Sequence, residues 1–149
     1  MADISDRLEV RIVNADDLPL VEGLLPSSFT EVVVGTDVKR TSMIMENKNP
    51  QWDSDPMIFS DLIMQSIDAL LIYVKHVDAS GSEMPMGVIV IPTDTPFNSP
   101  RMELDGWYDL KATTGMPSNE QGEVYVKGRV RIRMVRRVGG RLVRGYVRF

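Results

Sequence analysis

His76 and Asp78 stand two residues apart, the chain's single histidine beside a carboxylate. An imidazole next to a carboxylate is the usual material of proton transfer or metal ligation. Both chemistries need further partners. The chain has no cysteine, so it offers no thiolate nucleophile and no Cys-ligated zinc site. A lone histidine excludes a multi-histidine metal centre. There is no glycine-rich phosphate loop and no Gly-x-Ser-x-Gly elbow, and no serine is tied to His76 by spacing. The expectation is a non-catalytic protein without a cofactor.

A second group of residues binds anions rather than turning them over. Arg129, Arg131 and Arg133 recur at strand spacing and are followed by Arg136, Arg137, Arg141, Arg144 and Arg148. A guanidinium fork matches phosphate or carboxylate with two parallel hydrogen bonds. The charge is divided sharply along the chain: residues 1–126 hold 21 acids against 8 bases, and residues 127–149 hold 9 bases and no acid. Three readings of the arginine row stand side by side. It is a patch for an anionic membrane, a docking site for an acidic partner such as a cytoskeletal surface, or one side of cross-strand pairs with Glu9 and other acids of the same chain. Nucleic acid is not expected, because stacking aromatics are few and most of the chain is acidic.

The elements that must position these groups are strands. Leu8, Val10 and Ile12 alternate with Glu9 and Arg11, the period of a half-buried strand. Phe29 to Val34 is a second, stopped by Gly35-Thr36-Asp37, and Val38 to Met45 a third. Short apolar runs follow at Met57 to Phe59, Leu70 to Val74, Gly87 to Ile91 and Trp107 to Leu110. Residues 78–85 and 93–106 read as loops. Val124 to Met134 alternates again, with a bulge expected at Gly128, and Gly139-Gly140 is a hairpin signal. About eight short strands with little helix predict an all-β, eight-stranded antiparallel Greek-key sandwich. At 149 residues the chain fits one domain. Residues 1–138 are expected to form its core, with 139–149 as its last strand or a basic tail. The start, MADISDRLEV, lacks the features of a secretory signal, and no apolar run approaches a membrane span, so a cytoplasmic location is expected.

These pieces, taken in order, resemble the C2 domain family. LEVRIVNADDLP resembles its first core strand and Ala-x-x-Leu turn, and PSSFTEVVVG its Ser-Asp-Pro-Tyr-Val strand with Phe29 in the tyrosine's place. Arg40-Thr41 resembles its Lys-Thr, and Asn49-Pro50-Gln51-Trp52 its Asn-Pro-x-Trp. Leu70-x-Ile72-x-Val74, Gly87 to Pro92, Trp107-x-x-Leu110 and Val130-Ile132-Met134 complete a match over roughly residues 8–135. Met57 and Phe59 stand one residue late against the family's two phenylalanines. Only seven residues precede the Leu8 strand. The resemblance therefore implies the permuted, type II arrangement, with residues 141–149 supplying the eighth strand.

The resemblance also implies where calcium ligands belong. The family's calcium-binding members place about five aspartates on two loops, since a hard dication takes six to eight oxygens. By spacing those positions fall on Val21 and Ser27 in the first loop and on His76, Asp78 and Met84 in the third. Only Asp78 keeps its carboxylate, with Glu22 and Glu83 one residue from two lost positions. Calcium is not expected. The loop tips carry Leu20, Val21, Leu24, Leu25, Met84 and Met86 instead, residues for a partner or bilayer, about half of them expected to pack back on the sandwich. The family's headgroup-binding face implies Lys39, Arg40 and Lys75 beside Phe29. The function expected is calcium-independent contact with a protein partner, at a membrane or cytoskeletal structure. The alternative is peripheral targeting through anionic phospholipid, phosphoinositide in particular.

Overall fold

The computed structural model describes residues 6–60, 68–92, 103–138 and 141–142. Their strands, in chain order, are β1 (Asp6–Asp16), β2 (Ser28–Val34), β3 (Asp37–Arg40), β4 (Met57–Ser60), β5 (Ala69–Val77), β6 (Glu83–Pro92), β7 (Glu103–Asp109), β8 (Arg129–Val138) and β9 (Arg141–Leu142). One sheet runs β4-β1-β8-β7, with β9 also against β8, and the other runs β3-β2-β5-β6. Every pairing is antiparallel. The chain crosses repeatedly between the sheets, and strands remote in sequence become neighbours. This is the predicted Greek-key sandwich.

Period-2 alternation decides what lies between the sheets. Leu8, Val10 and Ile12 of β1 and Val130, Ile132 and Met134 of β8 are fully buried. Val32 and Val34, Leu70, Ile72 and Val74, and Ile89 and Ile91 face them from the second sheet as one core. Each such side chain withdrawn from water stabilises the fold by about 1.5–3 kcal/mol. Trp52 closes one end of this core and donates its indole N–H to Ser28 O at 3.1 Å.

Of the segment expected as the last strand, Arg141 and Leu142 form β9. The place between β1 and β7 belongs to Arg129–Val138, not to the segment after the glycine pair. Two full four-stranded sheets are thus complete at Val138. Arg141 and Leu142 pair with Val138 and Arg137, and residues 143–149 lie outside those described. The permuted order holds nonetheless, for the LEVRIV strand comes first in the chain and takes its neighbour from the far end.

Four other boundaries moved. The third strand stops at Arg40, and Ile44 returns only as a single bridge to Ser28. The strand expected from Val124 begins after Gly128, while Val124 bridges to Ser118. Gly128 has φ 104° and packs against Asp16 and Asp17 carbonyls, so it is a turn into β8 rather than a bulge within it. The bulge is on β1, where the register shifts between Ile12 and Asn14. Glu83 to Pro85 and Glu103 to Gly106, expected in loops, belong to β6 and β7.

Candidate functional site

The loops between β1 and β2 and between β3 and β4 are tied together at one end of the sandwich, and the end of β5 joins them. Asp17 N–H donates to Asn49 Oδ1 at 2.8 Å, Leu18 N–H to Lys48 O at 2.9 Å, and Asn47 N–H to Pro26 O at 2.9 Å. His76 is buried there, and its Nδ1 accepts from Ser27 N–H at 3.1 Å. An accepting nitrogen carries no proton, so this is the Nε2–H tautomer with its Nδ1 lone pair engaged.

Asp78 turns back into its own loop. Its Oδ1 accepts from the Ser80 hydroxyl at 2.6 Å, from Ser82 N–H at 3.0 Å and from Ser80 N–H at 2.9 Å. The Ser80 hydroxyl bond, and then the Ser82 amide, hold its carboxyl below the usual carboxylate range. Glu22 is exposed at φ 50°, and Glu83 reaches away to bases of the second sheet. Among the described residues no three acidic or imidazole groups come together as a metal site. The apolar residues divide: Leu20, Leu24 and Leu25 are exposed, Val21 packs on the core, Met84 is half-buried and Met86 is buried.

On the outer face of the second sheet, Glu31 and Phe29 are buried although they point away from the core. Long basic side chains cover them. Lys75 Nζ lies 3.0 Å from Glu31 Oε1, and Arg40 reaches Glu31 at 2.7 Å and Glu83 at 3.1 Å. The Arg40 guanidinium also lies 5.1 Å from the Phe29 ring centroid. Desolvation pulls the Arg40 pKa down, the charges of Glu31 and Glu83 outweigh it, and the net shift is upward. Two bases therefore meet two acids. Lys39 is not part of this group. Its register partner is the core residue Val32, whereas Arg40 stands opposite Glu31, so strand alternation sends Lys39 to the other face. Its ammonium rests 5.6 Å from the Phe59 ring centroid at the sandwich edge, beside a groove of about 490 Å³ that Arg40, Asp53, Asp55 and Ile58 also line.

The arginine row occupies the outer face of the first sheet. Arg129 pairs with Asp16 at 3.3 Å and its guanidinium lies 4.5 Å from the Trp107 ring centroid. Arg131 forks onto Asp105 with bonds of 3.0 and 3.1 Å, and Arg133 Nε reaches the same carboxylate at 3.1 Å. The Arg131 hydrogen bonds, aided by the charges of both arginines, hold the Asp105 carboxyl below the ordinary range. Asp16 and Asp105 are thus two of the acids that pair with this row. Glu31, Asp105 and Arg11, which shape these two faces, were not expected there from sequence, and Trp107 was read only as part of a strand motif. Asp105 lay in an expected loop, and a cross-strand partner is visible only once register is known.

A family model, the C2 domain, matches residues 6–110. A C2 and GRAM domain-containing protein of Arabidopsis thaliana is 24% identical over 123 residues, 81% of this chain but 12% of that protein. The C2A domain of plant extended synaptotagmin 1 superposes with a TM-score of 0.68 at 19% identity, covering 93% of this chain and 98% of that one. The SMP, C2A and C2B structure of extended synaptotagmin 2 gives 0.69 at 15% identity, over 91% of this chain and 28% of that one. At these identities the two structures speak for the fold, and the family match covers most of the chain. No helix among the described residues is long and apolar enough to cross a membrane. The chain belongs to the C2 domain family.

Proposed function

We propose that the chain is a non-catalytic, calcium-independent C2 module that docks on a protein partner, in the cytoplasm at a membrane or cytoskeletal structure. One observation carries the reading: Asp78, the one carboxylate left at the expected ligand positions, is bound by Ser80 and Ser82 of its own turn. Glu83 is likewise committed to Arg40. A dication needs several converging oxygens, and these two are directed elsewhere. The outer faces support protein contact over a charged bilayer. Arg40 and Lys75 are matched by Glu31 and Glu83, whereas Trp107 and the arginines near it are residue types that dominate protein interfaces.

One feature favours a second reading, peripheral membrane docking. Leu20, Leu24 and Leu25 are exposed on the first loop, with Met45 on the adjoining one. That tip also carries exposed Glu22 and Glu46, which oppose an anionic surface. Sedimentation with neutral and phosphatidylserine-containing vesicles, with calcium or with chelator, separates the readings. Protein contact predicts no sedimentation in any condition. Calcium-dependent sedimentation defeats it, and so does calcium-free sedimentation abolished by Leu24→Asp.

A further inference from the structure

Arg11 stands directly opposite Arg133 in the β1–β8 register, and Asp105 stands opposite Arg133 on its other side. All three side chains share the outer face of the first sheet. Like charges placed directly across two strands repel. Arg11 makes no ion pair among the described residues, and Arg131 also leans on Asp105. Two guanidinium groups therefore share one carboxylate, and a third, Arg11, stands on the next strand beyond Arg133. Arg133 engages it through Nε alone, leaving both Nη groups uncommitted within the described structure.

We propose that Arg11, Arg131 and Arg133, with Trp107 beside them, bind the phosphate of a phosphorylated segment of a partner protein. The excess of two positive charges matches a phosphate monoester, which carries about −1.5 to −2 at neutral pH. Guanidinium forks suit its oxygens. The surroundings select a small anion over an extended anionic surface. Glu9 and Glu103 flank the site across the Val135 row, and Asp16 and Asp109 flank it across the Arg129 row. A flat bilayer would cover those four positions together with the arginines, whereas one phosphate on a peptide falls between them. Trp107, 41% exposed in the adjoining row, supplies apolar contact for the rest of the segment.

This rests on the protein-contact reading and gives the partner its chemistry. The test is a titration of the full chain, followed through arginine Nε–H and backbone NMR signals. The probe is a short neutral peptide bearing one phosphoserine, beside its serine and glutamate counterparts. Saturable shifts at Arg11, Arg131 and Arg133 are expected with the phosphopeptide, and Arg11→Gln is expected to weaken binding about tenfold, the loss of one charge-assisted contact. Arg11→Gln leaves every ion pair named above intact, so weakened binding at an unchanged melting temperature separates recognition from folding. Equal affinity for the serine or glutamate peptide overturns the proposal, as does unchanged affinity in Arg11→Gln. Vesicle sedimentation that needs Arg11 overturns both this site and the protein-contact reading. A silent peptide titration without vesicle binding overturns the phosphate site alone.

Discussion

Lys75 Nζ lies 3.0 Å from Glu31 Oε1, and the Glu31 carboxylate is the pivot of the second sheet's outer face. Its side chain is 10% exposed, and that of Lys75 is 22% exposed. Removing one partner of such a pair strands the other in a poorly solvated place. Glu31→Gln is therefore expected to cost about 1–3 kcal/mol, between the values for surface and fully buried pairs. Urea denaturation reads that cost. The same change releases Lys75 and part of Arg40, and sedimentation with phosphatidylserine vesicles should rise above wild type. Unchanged sedimentation in a folded Glu31→Gln protein would show that these bases are not masked by Glu31.

Asp105 gives the fold a dependence on acid. The hydrogen bonds from Arg131, with the charges of Arg131 and Arg133, depress its folded pKa. A depressed carboxylate contributes stability above its unfolded value, about 3.9, and loses it as pH falls through the folded value. The wild type should exceed Asp105→Asn in stability by a constant margin near neutral pH. Below about pH 4 the two are expected to converge. Melting temperatures measured across this range, at low salt, check the sign: a gap that widened in acid would contradict the pairing.

Gly128 and Gly23 separate two costs of adding a methyl group. Both have positive φ, 104° and 80°, where L-residues are strained. A Cβ at Gly23 meets nothing within 4 Å, whereas one at Gly128 meets the Asp17 carbonyl and Leu18 Cδ2 at 3.1 Å. Gly23→Ala should cost about 1 kcal/mol, the conformational part alone. Gly128→Ala should cost about 2–4 kcal/mol, because the β1–β2 turn must also yield. Equal losses in chemical denaturation would mean that the turn gives way freely.

The alternation of Leu8, Val10 and Ile12 and of Val130, Ile132 and Met134 made the two central strands of the first sheet legible, because burial on one face imposes a period of two. The ends of strands were less so. Ile44 alternates correctly but reaches β2 only as an isolated bridge, since the chain leaves the sheet after Arg40. The faces of the site depended on register, which one residue reverses. Lys39 and Arg40 are adjacent in sequence and so point oppositely, and a motif match that placed both beside Lys75 overlooked this. Asp105 could not be seen as the partner of Arg131 while its strand was read as a loop.

Trp52 tests how much of the Asn-Pro-x-Trp motif is packing and how much is its polar contact. The indole is buried, closes the core at the loop end and donates to Ser28 O at 3.1 Å. That carbonyl also accepts from Ile44 N–H at 2.8 Å, so it keeps a partner when the indole nitrogen is removed. Trp52→Phe loses one hydrogen bond and some volume without orphaning an acceptor, and the expected cost is about 1–2 kcal/mol. Trp52→Ala also empties the space beneath the loops, at about 3–5 kcal/mol. Denaturation followed by circular dichroism, which does not rely on the lost fluorophore, measures both. A phenylalanine variant as unstable as the alanine one would place the weight on the Ser28 hydrogen bond instead of on the filled core.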